Sequence, residues 1–174
     1  MGKRGITLVE LLIALFIISA LSGTIAFIFV SLLKTWDSQN KRFGARLESS
    51  IALDTLIHDL RETLSVTDAQ NRTISIWFRD ADLDGNQDSN EVVTFNWDGV
   101  SGSSLTRTQT ISKMIANNIS NFQLNYFDSN DIELPSPITL QSERDKIKLI
   151  TITISSSKDA ETLTFRSNAR LRNR

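Results

Sequence analysis

The chain of 174 residues contains no cysteine, so it forms no disulfide and offers no thiol for catalysis or metal binding. An oxidising compartment is permitted by that absence but not indicated by it. Histidine occurs once, at His58, among Leu56, Ile57 and Asp59 at helical spacing, where a surface or half-buried place suits it better than catalysis. With no cysteine and no second histidine, the usual nucleophile–base pairs are missing, which argues against an enzyme. Charge of one sign is also lacking: Lys+Arg number 19 and Asp+Glu 20, a formal −1. That balance leaves no electrostatic footprint for nucleic acid. Proline is confined to Pro135 and Pro137, and the chain shows no internal repeat or low-complexity linker.

What the chain does have is concentrated at its start. Lys3 and Arg4 precede Gly5, and an apolar segment broken by one carboxylate, Glu10, follows. From Leu11 to Leu33 there is neither charge nor proline. A helix over that span rises about 34 Å, enough for a bilayer core of about 30 Å. Lys3 and Arg4 hold the N-terminus in the cytoplasm by the positive-inside rule. A secretory signal peptide fits poorly, because its apolar region is shorter and its small residues follow that region. Here the small residue precedes it, so a cut between Gly5 and Ile6 removes the charges and leaves the apolar helix on the mature protein. A plain anchor explains the length but not Glu10, since an intramembrane carboxylate costs several kcal/mol without a partner. The amine exposed on Ile6 by such a cut, on a neighbouring copy, supplies one.

Gly5-Ile6-Thr7-Leu8-Val9-Glu10-Leu11-Leu12 resembles the class III signal of type IV pilins and type II secretion pseudopilins. The resemblance implies a prepilin peptidase that cuts after Gly5 and methylates Ile6, and it makes Glu10 the assembly residue that meets a neighbour's N-terminus. Removing Lys3 and Arg4 takes the basic count from 19 to 17 against 20 acidic residues, a formal −3. Many pilins carry a disulfide near the C-terminus, and this chain departs from them.

After Leu33, apolar residues at 43, 47, 51, 53, 56, 57, 60 and 64 form one stripe of an amphipathic helix. One helix from about Ile6 to Leu64 is expected, lipid-buried first and soluble second, with Trp36 interfacial and Gly44 a local weak point. Beyond Leu64 the period becomes two. Ile74, Ile76 and Phe78 alternate, then Val93, Phe95 and Trp97; Asp98-Gly99 signals a turn and Ser104 to Thr108 a short strand. Ile111 to Ile119 reads as a short helix. Phe122, Leu124 and Tyr126 alternate again, ahead of a polar turn from Asp128 to Asp131. Ile147 to Ile154 reads as the longest strand, its phase slipping between Leu149 and Ile150 through a bulge or two-sided burial. A turn from Ser155 to Ala160 then leads to a last strand at Leu163 and Phe165. The class is α+β: one long N-terminal helix packed on mostly antiparallel sheet. The divisions are a leader at 1–5, a membrane and filament-core helix at 6–33, its amphipathic half at 34–66, and a β-rich globular domain at 67–174.

Between the first two of these strands lies Asp80-Ala81-Asp82-Leu83-Asp84-Gly85-Asn86-Gln87-Asp88-Ser89-Asn90-Glu91. It matches a twelve-residue calcium loop at each liganding position. Asp80, Asp82, Asp84 and Asp88 converge on one cation, Gly85 allows the sharp turn, the Asn86 carbonyl adds a ligand, and Glu91 closes the site with two oxygens. Five carboxylates in so short a turn repel one another without a cation. An all-oxygen set does not favour zinc or copper. The flanks read as strands, so this is a calcium loop in a hairpin and not an EF-hand; a structural Ca2+ there would clamp the hairpin where relatives use a disulfide. The plainer alternative is a solvated acidic hairpin tip. The basic end, Arg166 to Arg174, fits an anionic lipid, an acidic neighbour or simply a solvated tail.

Within the pilin-like resemblance, Phe95-Asn96-Trp97-Asp98-Gly99, Leu105-Thr106-Arg107, the run Phe122 to Asp128, and Arg170-Leu171-Arg172-Asn173 are similar to the J-type minor pseudopilin, and equally to the W-type minor pilin. That implies a subunit of a small tip complex that helps initiate a filament. Its partners would be other pilins or pseudopilins, with inner-membrane lipid before assembly and the globular domain in the periplasm. A membrane-anchored periplasmic calcium-binding module or adhesin with no filament role stays open as the other reading.

Overall fold

The structure is a computed structural model and describes residues 7–158 and 161–172. Gly5 and Ile6, with Lys3 and Arg4, lie outside the described residues. The chain divides into two compact units, residues 1–41 and 42–174. Helix α1 runs from Leu8 to Glu62 and contributes to both.

In the first unit, every described residue from 7 to 37 is exposed, and no packing within the unit explains the helix. Backbone bonds and composition do: Leu and Ile dominate and no proline intervenes. The few hydroxyls fold back on the helix, with Ser19 Oγ donating to the Leu15 carbonyl at 2.8 Å and Thr24 Oγ1 to that of Ala20 at 2.9 Å. Such bonds satisfy polar groups where water is absent.

In the second unit, α1 buries Ser49, Ala52, Leu53, Leu56, Asp59 and Leu60, and Thr63 just past its end is buried too. The expected stripe holds at 53, 56 and 60 but fails at its start: Phe43, Leu47 and Ile51 are 68%, 51% and 52% exposed. The reason is angular. At about 100° per residue, a row of steps of four drifts around the helix, and 43, 47 and 51 fall on the side opposite 52, 56 and 60. The helix continues through Gly44 and ends at Glu62. Thr63 Oγ1 then donates to the Ser65 and Trp77 carbonyls at 3.1 and 2.9 Å, turning the chain into the sheet.

The sheet is antiparallel throughout. Its strands are β1 (Ser65–Ala69), β2 (Thr73–Trp77), β3 (Val92–Asn96), β4 (Ser103–Thr108), β5 (Ser112–Phe127), β6 (Glu133–Leu134), β7 (Leu149–Lys158) and β8 (Glu161–Arg170), with a one-turn helix α2 (Gln141–Arg144) before β7. The order is β1-β2-β3-β4-β5-β7-β8, and β6 pairs with the end of β5. Leu56 and Leu60 of α1 share one apolar core with Ile74, Ile76, Phe95, Phe122, Leu124, Ile150 and Ile152. A half-buried ion pair joins α1 to the sheet: Arg107 Nε on β4 donates to the buried Asp59 Oδ2 at 2.7 Å. Tyr126 is fully buried, donates its hydroxyl to the Gln70 carbonyl at 2.7 Å, and is pushed well up from its ordinary pKa by that burial.

Three expectations need correction. Residues 111–119 form no helix: Ser112 opens β5, and Ala116, Met114 and Lys113 pair with Leu105, Thr106 and Arg107 of β4. Register shifts in that ladder, and another between Ile119 and Asn121, break the alternation and leave a spacing that mimics a helix. β5, with 16 residues, is therefore the longest strand, not β7 with 10. Residues 155–158 belong to β7 and not to a turn. The phase slip at Leu149 has its explanation in Ile147 lying before the strand and in two-sided burial, since Thr151 and Ser155 are buried along with Ile150, Ile152 and Ile154. β1 escaped the sequence reading because only Val66 and Ala69 of its five residues are buried and a bulge separates Val66 from Asp68.

Candidate metal centre and assembly segment

Glu10 stands in the first turn of α1, where a carboxylate meets the positive end of the helix. Its Oε2 accepts the Thr7 backbone N–H at 2.9 Å and the Thr7 hydroxyl at 3.0 Å, while Thr7 Oγ1 accepts the Glu10 N–H at 3.3 Å. Thr7 and Glu10 thus form a capping box, each satisfying a backbone donor of the other. The pattern Thr-x-x-Glu was legible in the sequence, and Thr7 is the residue that reading missed. From Leu8 to Asn40 the helix is long and apolar enough to cross a membrane, by length and composition. It fits an inner-membrane anchor.

The acidic loop is carried by the β2–β3 hairpin. Trp77 pairs with Val92, and the Phe78 N–H donates to the Glu91 carbonyl at 3.0 Å, so the loop is closed at its base. Inside the loop, backbone N–H groups turn toward carboxylates. Gly85 donates to Asp80 Oδ2 at 3.0 Å, Asn86 to Asp84 Oδ1 at 2.7 Å and Asp84 to Asp82 Oδ1 at 3.3 Å. Leu83, at φ +62°, and Gly85, at φ +75°, are the left-handed residues of the turn, and glycine takes that conformation without strain.

The result fits a divalent ion on one side. Ligand oxygens of Asp80, Asp82 and Asp84 lie within 4.8 Å of one another. Two oxygens on one calcium, each at about 2.3–2.6 Å, stand no farther apart than about twice that distance. Asp80 Oδ1 is buried and has no hydrogen-bond partner, an acceptor that a cation would satisfy. Glu91 is placed differently. It is buried, its Oε1 accepts the Ala81 N–H at 2.5 Å, and its Oε2 accepts Trp77 Nε1 at 3.0 Å and the Asp88 N–H at 3.2 Å. Asp88 and Asn86 stand outside the cluster of three; Asn86 Nδ2 donates to Asp84 Oδ2 at 3.1 Å. Trp77 is a second residue the sequence reading missed in this role, because nothing local links a strand tryptophan to a glutamate 14 positions on.

The carboxylates titrate apart. The Ala81 N–H holds Glu91 below its ordinary value against the opposing effect of desolvation. The Asn86 N–H does the same for Asp84. Asp82 rises: the Asp84 N–H pulls it down, but desolvation and the charges of Asp84 and Glu91 outweigh that. Beside the loop is a cleft of about 470 Å³, lined by Arg61, Glu62, Phe78, Arg79, Leu83 and Arg172 among others. Arg79 pairs with Glu62 at 3.6 Å and lies over the Phe78 ring at 5.1 Å. Among its lining residues are no histidine and no cysteine, and His58 is exposed, 3.4 Å from both Asp59 and Glu62.

Residues 1–26 match the family model for the prokaryotic N-terminal methylation motif. The chain carries the N-terminal signal of type IV pilins and pseudopilins, a class of structural subunits. That motif implies processing by a prepilin peptidase and assembly with other pilins. No curated protein matches the chain significantly.

Proposed function

We propose that the chain is a minor pilin or pseudopilin of a type IV pilus or type II secretion pseudopilus, placed in the tip or initiation complex. The observation that carries the reading is the methylation motif at residues 1–26 leading into the apolar helix Leu8–Asn40. The precursor inserts with Lys3 and Arg4 in the cytoplasm, loses residues 1–5 after Gly5, and is methylated on Ile6. Residues 6–33 then sit in the inner membrane and later in the filament core, 34–66 continue the helix, and 67–174 form the periplasmic domain. Glu10 sets the register between neighbours. Its capping box with Thr7 occupies Oε2 and leaves Oε1 without a hydrogen bond among the described residues, so a neighbour's N-terminal amine can be met without undoing the helix start.

The acidic loop would hold a structural Ca2+. Asp80, Asp82 and Asp84 make up the converged part of the site; Glu91, Asp88 and the Asn86 carbonyl complete the ligand set. Calcium neutralises the crowded loop and ties the hairpin tip to its base, the stiffening that a chain without cysteine cannot obtain from a disulfide.

The test is expression of the chain with and without an active prepilin peptidase, followed by intact mass and N-terminal sequencing. Loss of residues 1–5 with one methyl on Ile6 is expected. A chain that keeps Met1 beside active peptidase would overturn the filament reading and leave a membrane-anchored calcium-binding module.

A further inference from the structure

Apart from the two-residue β6 on β5, the strand order ends in two outer strands, β1 and β8, and they are treated differently. β1 is short, carries a bulge between Val66 and Asp68, and is covered: the Ile138 N–H donates to the Ala69 carbonyl at 2.9 Å, and Gln141 Nε2 donates to that of Val66 at 3.3 Å. These are the devices by which proteins protect a sheet edge from other chains. β8 has none of them. It runs for 10 residues without proline or glycine and pairs with β7 from Lys158–Glu161 to Leu149–Arg170 with no register shift. Among the described residues nothing pairs with its other side, so alternate residues direct backbone N–H and C=O groups outward.

The two faces of β8 have distinct chemistry. Ala169, buried, and Ser167, Phe165 and Leu163, half-buried, lie on the core side, opposite Ile150, Ile152, Ile154 and Ser156 of β7. The last two keep apolar surface because no strand lies beyond them. Thr162, Thr164, Arg166, Asn168 and Arg170 form the exposed face, and Arg172 is exposed just past the strand. The adjacent row on the same side of β7, Thr151, Thr153 and Ser155, is uncharged and already buried or half-buried. Pairing with a second copy about Arg166 in antiparallel register would oppose Arg166 to Arg166, which like-charge repulsion disfavours. An apolar core side and a cationic outer side call for the complementary strand.

We propose that the open edge of β8 accepts an extended segment of a partner protein as a further strand. That segment would be apolar at alternate positions and acidic between them. Backbone pairing supplies the attachment, Leu163 and Phe165 receive the apolar side chains, and Arg166 and Arg170 select the acidic ones. The inference depends neither on calcium nor on processing at Gly5.

The test uses the full chain in detergent micelles with blocked nonapeptides of alternating valine and glutamate, or valine and lysine. The glutamate peptide is expected to bind at least about tenfold more tightly and to slow amide exchange within residues 161–170. Arg166→Glu with Arg170→Glu, both on the exposed face, should leave the fold intact and reverse the preference. N-methylation of one or the other alternate set of peptide amides should abolish binding for one of the two sets. Equal binding of both peptides, an unchanged preference in the charge-swapped chain, tolerance of both methylated sets, or protection outside β8 would each overturn the proposal. So would self-association of the chain through β8.

Discussion

The proposed calcium loop makes a quantitative prediction. Extracellular calcium modules bind with Kd of about 10⁻⁴ to 10⁻³ M, and the mixture of converged and occupied carboxylates in this loop fits that weak range better than a preformed cage. Binding to the folded chain alone stabilises it by RT ln(1 + [L]/Kd), about 0.6–1.8 kcal/mol at about 2 mM calcium. For a folded unit of this size that is a rise of about 2–7 °C in melting temperature. Melting of the full chain in detergent, with chelator and then with calcium, measures it. Asp80→Asn sharpens the result, because Asp80 holds the buried oxygen without a partner and shares its other oxygen with the Gly85 N–H. In chelator the variant should melt at or slightly above the parent, since one of several crowded charges is gone. In calcium it should lose the rise. Magnesium at equal concentration should give less, because it demands a tighter octahedral shell than this loop presents. A parent chain whose melting point ignores about 10 mM calcium, ten times the weak end of the range, would refute the site. A variant that keeps the full rise would refute the assignment of Asp80.

Glu10→Ala should leave the second unit folded and the chain in the membrane while reducing its incorporation into filaments, read by shearing and quantifying assembled subunits; normal incorporation would count against the register role. Asp59→Ala leaves Arg107, whose side chain is 22% exposed, without its anion in the core, at a cost of about 2–3 kcal/mol in urea denaturation. The loss should be largely shared in the double variant with Arg107→Ala. Gly99→Ala puts a side chain at φ +83° and a Cβ against Arg72 Nη1, displacing the guanidinium that lies 5.5 Å over Trp97; about 1–2 kcal/mol should be lost. In acid the chain should weaken as four lowered carboxylates of the second unit are protonated: Glu91 by loss of the Ala81 N–H bond, Asp84 of the Asn86 N–H, Asp98 of the Ser103 hydroxyl and Asp128 of the Ile132 N–H. Their folded values lie below the unfolded ones, so their stabilisation is present above about pH 4–4.5 and disappears as the pH falls through the folded values. Asp82, raised, works in the opposite sense. Urea midpoints in chelator from pH 7 to 2 should therefore fall most below about pH 4, less steeply in Glu91→Gln.

What could be read from the sequence was whatever is encoded by neighbours in sequence. The membrane-length helix needs only an uninterrupted apolar run, and the twelve-residue loop carries its whole candidate ligand set in one segment. The antiparallel sheet was legible where one face is buried and the other wet, as at Ile74 and Ile76 or Phe122 and Leu124. Features set by distant pairing were not. β5 is a strand at 112–119 because β4 supplies its hydrogen bonds, and the bulges needed to fit it there erase the period that would announce it. Glu91 acquires its closest side-chain donor, Trp77, only when the hairpin closes. Thr7 is the instructive exception: its bond to Glu10 is local and its pattern is present, but attention to Glu10 as an intermolecular group hid the intramolecular one.

The same distinction bears on α1. Its apolar residues from 43 to 64 looked like one stripe because two rows overlap in sequence. One row, centred on Ala52, Leu56 and Leu60, is covered by the chain's own sheet. The other, Phe43, Leu47 and Ile51, is covered by nothing among the described residues, although each of those side chains would gain about 1.5–3 kcal/mol on full burial. A monomer has no use for the second row, and a contiguous exposed row is a mark of association. A subunit that assembles with other pilins does have a use for it. Two apolar rows on one helix, one buried in folding and one left exposed by it, produce a band that no single helical face can account for.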